Sequence, residues 1–364
     1  MQTFGILGSG FGLYGYLPSI IDTYKILLPL KARKVIESRS DLKKYLEKVE
    51  FLDNLDSIFS NIDSIIIAKN PQSQAELIPS ILTYKNIKNF FLEKPLASTP
   101  QDSIKLQKIL FENKNINVRI AYIFIYCKWF KILESLLDSN NLAEKKGREV
   151  RILWTFKAHH FKHNINSWKK DSKNGGGVLN FFAIHVIALI ALFDFKLNKV
   201  FFKNDECLQS SFIKENILLK IHIDSNANTE IFSISSDNFS VSSDSSSILA
   251  NSLSISSDNL KYGKNFNNSS DNFSSSLKFK VSSDNPNLSS NNLKVCDNHF
   301  NLSNENSILL YQSSSPFESS PNFTDSRIPL LKQHIISITA PNPPYYKWYK
   351  KTTTLWQNIQ SINI

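Results

Sequence analysis

Two residues of this chain stand where they could move a proton. Lys94 lies in Phe91-Leu92-Glu93-Lys94-Pro95, directly after an apolar run that reads as a strand. A lysine held at a strand end beside a proline has a fixed direction, from which it can donate to a substrate hydroxyl. Taken alone, the segment reads more simply as a surface loop. His185 lies about two turns into the long apolar stretch opened by Gly175-Gly176-Gly177. A histidine on an apolar helix is more often a satisfied core residue than an acid or base, so His185 also needs support from elsewhere. The cluster His159-His160-x-x-His163 follows a predicted strand and lacks the i, i+4 pair with a glutamate. It reads as solvent-facing loop residues, and no metal site is expected.

A third motif carries a different chemistry. Gly8-Ser9-Gly10-Phe11-Gly12-Leu13-Tyr14-Gly15 follows the apolar run Phe4-Gly5-Ile6-Leu7. Strand, glycine-rich turn and helix in that order are built to hold a pyrophosphate, because the helix N-terminus offers unpaired N–H groups and a positive dipole end. Gly8 and Gly10 take the first two positions of G-x-G-x-x-G, but the third is Leu13, which leaves close helix–strand packing to Gly12 or Gly15. Gly8, Gly10, Phe11 and Gly12 are the expected cofactor contacts here. An NAD site usually places an acid about twenty residues after the first glycine. That position falls in Leu28-Pro29-Leu30, followed by Lys31-Ala32-Arg33-Lys34. Lys31 and Arg33 suit a 2′-phosphate through charge-assisted hydrogen bonds, and they equally suit a solvated helix start. The expected cofactor is NADP or NAD.

The elements that must position these residues alternate. Phe4–Leu7, Tyr24–Leu28, Ser64–Ala68, Asn89–Leu92 and Asn117–Tyr126 read as strands. Leu13–Ile21, Ala32–Glu47, Gln72–Tyr84 and Ser103–Glu112 carry helical spacing. The fold class is therefore α/β, with a doubly wound parallel Rossmann sheet over residues 1–124. Residues 125–364 read as a second α/β domain. It holds a helix at Lys128–Asp138, strands at Glu149–Phe156, Lys199–Lys203 and Ile217–Ile223, and the long apolar helix. From about 225 to 305 Ser, Asn and Asp dominate and Ser-Ser-Asp recurs. Alternating stretches such as Phe232-Ser233-Ile234-Ser235 predict short hairpin-like strands in a low-complexity insertion. An interaction array is the other reading of that segment.

Bulk properties narrow the class further. The chain has 364 residues, a formal charge of +10 and 41% hydrophobic residues, enough for two cores. Its basic residues are scattered, which favours a lysine-rich surface over a nucleic-acid groove. Cys127, Cys207 and Cys296 lie far apart, with no metal or disulfide spacing. Val178–Phe193 is apolar but too short for a membrane span, and no targeting segment is evident. The expectation is a cytoplasmic protein without nucleic-acid or membrane partners.

Taken together, the glycine-rich turn, Ala68-Lys69-Asn70-Pro71, Glu93-Lys94-Pro95 and the triple glycine before His185 resemble the Gfo/Idh/MocA family of NAD(P)-dependent oxidoreductases. The resemblance covers roughly residues 1–225 and 305–345, the later part through Ser313–Phe317 and Asp325–Pro329. It implies that the second domain has an open, mostly antiparallel sheet through which copies can associate. It also implies hydride transfer between a nicotinamide and a hydroxyl or keto group of a sugar, cyclitol or nucleotide sugar. Lys94 and His185 inherit the catalytic roles, with His185 as acid/base and Lys94 polarising the same oxygen; Asn70, Glu93 and Lys94 join the cofactor contacts. The chain departs from the family pattern at Phe181, where an aspartate usually precedes the histidine by four, at Ala188, and at Gln74 in place of a histidine. Asn180 lies about 100° round a helix from position 181 and does not substitute. The alternative reading is a catalytically degenerate dinucleotide-binding sensor or scaffold.

Overall fold

Ile65, Ile66 and Ile67 are completely buried, as a parallel strand covered on both faces requires. They belong to β4 (Ser64–Ile67), flanked in the chain by β1 (Thr3–Leu7), β2 (Lys25–Pro29), β3 (Glu50–Leu52), β5 (Asn89–Leu92) and β6 (Asn117–Ile120). The six strands form one parallel sheet of order β3-β2-β1-β4-β5-β6. The structure, a computed structural model, describes residues 2–137, 147–237, 307–317 and 325–363. Most of the Ser/Asn/Asp-rich repeats, and Cys296, lie outside the described residues.

Helix starts in this domain follow local chemistry. Asn70 Oδ1 accepts from Ser73 N at 2.8 Å to cap α4 (Pro71–Ile81), and Thr99 Oγ1 accepts from Asp102 N at 3.1 Å to cap α5 (Pro100–Glu112). Each helix carries proline in its first turn, where a missing N–H costs nothing. Two expectations are revised. The helical reading of Ala32–Glu47 divides into a helix at Lys31–Ser38 and a 3-10 turn at Lys43–Lys48. The strand expected over Asn117–Tyr126 stops at Ile120; Ile123–Tyr126 is a 3-10 turn that buries Phe124 in the core.

The second sheet runs β12-β11-β7-β10-β9-β8, with β7 (Arg148–Lys157), β8 (Lys196–Lys203), β9 (Cys207–Lys214), β10 (Ile217–Asp224), β11 (Asn226–Asp237) and β12 (Ser307–Ser313). Among the described residues of this sheet, only the β7–β10 pair is parallel. Ile217, Leu219, Ile221 and Ile223 line its buried face at period two. Phe232-Ser233-Ile234-Ser235 is not a hairpin strand of its own: it is the middle of β11, paired with β7 and β12. The apolar segment forms a π-helical turn, Val178–Ala183, and then a helix, Ile184–Leu192, buried from Ile184 to Ala191. Ser172–Leu192 is long and apolar enough to cross a membrane, but it is a core element, most of it buried inside the protein.

Two C-terminal helices, Ile328–Ile336 and Asn342–Ser361, were not anticipated. The second packs on both sheets' helices. Trp348 and Trp356 donate to Ala188 O (2.6 Å) and Asn180 Oδ1 (2.8 Å). On its other side Tyr346 stacks on Phe111 at 4.0 Å, and Gln107 donates to Thr353 Oγ1 at 2.6 Å. Arg119 of β6 fixes the junction between the two helices. It is fully buried, donates to Ser337 O (2.8 Å from Nη2) and Asn342 Oδ1 (2.9 Å), and lies 3.8 Å from the Tyr345 ring centroid. Removing it strands half-buried acceptors and empties a buried volume. Arg119→Ala should therefore cost on the order of 3 kcal/mol in urea-unfolding stability, and Arg119→Lys should recover little because one ammonium cannot reproduce the fork. Wild-type stability in Arg119→Ala would contradict this anchoring role.

Candidate active site

The motif residues converge at the carboxyl ends of β1, β4 and β5. The strand order reverses between β1 and β4, and open α/β sheets bind ligands at that crevice. Gly8 has φ +137°, and a Cβ there would lie 2.1 Å from Ala68 O, so no side chain fits. Gly10 is the opposite case: a Cβ would meet nothing within 4 Å. The turn thus leaves open space at the exposed Gly10. Gly12 takes the close-packing role, its Cβ position being 3.1 Å from Ile6 Cγ2. The Phe11 ring contacts Tyr14 and Tyr16, each at 5.5 Å, and carries the Arg327 guanidinium at 4.1 Å.

The remaining expected cofactor contacts divide. Asn70 is exposed, with its side-chain oxygen committed to capping α4. Lys31 and Arg33 are both exposed. Arg33 lies 4.6 Å over the Phe51 ring of β3. Lys31 is close enough to Lys69 that, after burial, its charge is the next cause lowering the Lys69 pKa.

Gln74 holds the loop after β5 from three sides. Its amide donates to Glu93 O (2.8 Å) and Leu96 O (3.0 Å), and its oxygen accepts from Glu93 N (2.8 Å). The peptide between Lys94 and Pro95 is cis. Glu93 Oε1 accepts from the Tyr16 hydroxyl at 2.9 Å, and burial raises the carboxyl's pKa. Lys94 Nζ donates to Phe181 O and stands 4.3 Å over the Phe181 ring. Burial lowers the Lys94 pKa to about 7; Glu93 opposes the shift, while Arg327 and Lys169 add to it.

His185 stacks on Phe124 at 4.5 Å with the planes 8° apart. Its Nδ1 is buried without a hydrogen-bond partner, and burial, then Lys94 and Arg327, hold its pKa well below the usual histidine range. The ring is therefore neutral at pH 7. Phe181 lies in the π-helical turn Val178–Ala183. Within the π-helical turn its ring meets Trp168 (5.5 Å), Lys94 and Lys169. Asn180 is committed to Trp356 and to Ser172 O. The histidine cluster forms a helical turn, His159–Lys162, rather than a loop, and His160 is buried with its pKa lowered to about 4 by burial.

Three further residues complete the site. Tyr16 pairs with Glu93. Arg327 is gripped by Asp325 at 2.9 and 2.6 Å. Lys169 lies 5.2 Å over Phe181. Its backbone reaches that place because Gly176 has no side chain: a Cβ there would lie 2.1 Å from Trp168 O. Asp325-Ser326-Arg327 carried a sequence signal through its family-like segment; Lys169 sits in no motif.

Comparison with known proteins agrees with the fold. Residues 3–122 match the family described as "Oxidoreductase family, NAD-binding Rossmann fold" (GFO_IDH_MocA). That match spans the parallel-sheet domain, about a third of the chain. No curated protein matches the chain. Among solved structures, the WlbA dehydrogenase from Bordetella pertussis, in complex with NADH and UDP-GlcNAcA, is similar at 12% identity and TM-score 0.52, covering 65% of this chain and 70% of that one. GenD2 from gentamicin A biosynthesis, in complex with NAD, gives 12% identity and TM-score 0.51 over 65% and 69%. A super-repressor mutant of Gal80p from Saccharomyces cerevisiae gives 15% and 0.50 over 65% and 70%. At these identities the likeness is one of fold, which does not by itself assign chemistry.

The two glycines separate folding from binding. Gly10→Val should melt like the wild type yet lose dinucleotide binding, whereas Gly8→Ala should lose stability. Calorimetry with a cofactor titration on both variants checks this, and undiminished dinucleotide affinity in folded Gly10→Val would remove the phosphate-cradle assignment.

Proposed function

We propose that the protein is an NAD(P)-dependent oxidoreductase that interconverts a hydroxyl and a keto group on a sugar, cyclitol or nucleotide sugar. The observation that carries this reading is Lys94, a half-buried lysine with its pKa lowered to about 7 at the switch-point crevice, one residue from a carboxylate and beside the glycine turn. A catalytic acid/base works best when its pKa lies near the operating pH. Gly8, Gly10 and Gly12 would hold the dinucleotide, and the bound nicotinamide supplies or accepts the hydride. In the oxidation direction, neutral Lys94 Nζ takes the hydroxyl proton as the carbon–hydrogen bond breaks. His185, neutral and packed on Phe124, then orients the same oxygen, so the acid/base role expected for it moves to Lys94. Glu93, tied to Tyr16, is the neighbouring acid whose charge favours the ammonium.

The pH dependence has a definite sign. Oxidation needs Lys94 unprotonated, so its kcat/KM should rise as pH passes through about 7. Reduction needs the ammonium and should fall over the same interval. Lys94→Ala should lose roughly 10²-fold or more in turnover while retaining NAD(H) affinity. Full activity in that variant, with a panel of sugars followed by nicotinamide absorbance, would refute the assignment.

Cofactor choice rests on Lys31 and Lys69. Two neighbouring ammoniums after β2 and β4, with no acid at the end of β2, favour a 2′-phosphate over a bare ribose. NADP(H) should bind more tightly than NAD(H), and Lys31→Ala should narrow the difference; equal affinities in titrations at fixed ionic strength would contradict it. A sensor without chemistry is the second reading, supported by Phe181 standing where the family pattern has an aspartate.

A further inference from the structure

Two lysines share one aromatic ring at this site. The Lys94 and Lys169 ammoniums lie 4.3 and 5.2 Å from the Phe181 centroid. A third cation enters from the C-terminal segment, where Arg327 rests 4.1 Å over Phe11. The carboxylates nearby are already engaged: Glu93 with the Tyr16 hydroxyl, Asp325 with Nε and Nη2 of Arg327. The Tyr14 hydroxyl is a further hydrogen-bond partner of that guanidinium. Among the described residues, no carboxylate, carbonyl or hydroxyl hydrogen-bonds the Lys169 ammonium; the Phe181 ring is what faces it.

Such an arrangement is electrostatically incomplete. Like charges in a partly desolvated site repel far more strongly than in water, and the cost shows on the groups themselves. After burial, Arg327 is the next cause lowering the Lys169 pKa, and Arg327 and Lys169 both lower that of Lys94. Cation–π contact with one shared ring offsets only part of this. Arg327 already has its charge held by Asp325 and Tyr14, so a negative group between it and Lys169 would relieve the two lysines and would sit beside Lys94.

We propose that Lys169 and Arg327 form a subsite for an oxyanion substituent of the substrate, so that the enzyme prefers an acidic sugar to a neutral one. The inference rests on the function proposed above, because it places the anion next to the hydroxyl that Lys94 serves. It also gives Phe181 a purpose. An aspartate there would neutralise the two lysines and close the subsite, whereas the ring keeps their charge available to a ligand.

The test is calorimetric titration of the full-length protein with glucuronate, glucose 6-phosphate and glucose, with NADH titrated into the same preparation. At least one acidic sugar should bind ten-fold or more tightly than glucose. Which of the two does so tells a carboxylate site from a phosphate site. Lys169→Met, which keeps an unbranched chain over Phe181, should collapse that preference, and Lys169→Arg should restore it. If neither acid binds more tightly than glucose, or if Lys169→Met leaves the ratio unchanged, the subsite is refuted. Loss of NADH binding would instead strike at the oxidoreductase reading, so the two failures are distinguishable.

Discussion

Burial of the Lys94 ammonium is the constraint around which this site is organised. A lysine normally keeps its charge in water, and removing that water disfavours the charged form. Here the loss is only partly compensated. The Phe181 carbonyl accepts one hydrogen bond, Glu93 supplies an adjacent negative charge, and Arg327 and Lys169 work the other way. The balance falls near neutrality, where a lysine can both accept and return a proton. Each neighbouring feature serves to hold that balance in place. Gln74 clamps the loop on either side of Lys94, Tyr16 fixes Glu93, and the π-helical turn delivers the Phe181 carbonyl.

Supporting this site takes more chain than the motifs occupy. The glycine turn, β4 end and β5 end come from one sheet; Phe181 and His185 come from the helix beneath the other. What joins them is the C-terminal segment. Its long helix is pinned to the apolar helix through Trp348 and Trp356, and to α5 through Gln107. Arg119 locks the turn before it, and Arg327 from the preceding stretch reaches the site itself. Packing at one end of the protein is therefore continuous with charge placement at the other.

Much of the first domain was legible in the sequence because its signals are local. A β-branched run such as Ile65–Ile67 has few alternatives to a buried strand, and Asn70-Pro71 and Thr99-Pro100 announce helix starts within a few residues. β3 was not legible, since Glu50–Leu52 is three half-buried or exposed residues at a sheet edge. β9 hid for another reason: Gln209, Ser210 and Ser211 are buried although polar. The helix at Asn342–Ser361 does carry a helical stripe at Trp348, Thr352, Leu355 and Ile359, but threonines and lysines between them blur it. Within the site, Lys94 and His185 were marked by motifs. Lys169 was not, because its importance arises from a Gly176 contact and a Phe181 ring that no spacing rule connects.

The central claim is that Lys94 titrates near neutrality, and its own nitrogen reports this most directly. Nuclear magnetic resonance of the protein labelled with 15N-lysine, with Lys94→Arg to assign the signal, follows the Nζ resonance across pH. The account predicts a midpoint near 7. A midpoint at the ordinary lysine value of about 10.4 would contradict it, and would return Lys94 to the role of a fixed positive charge.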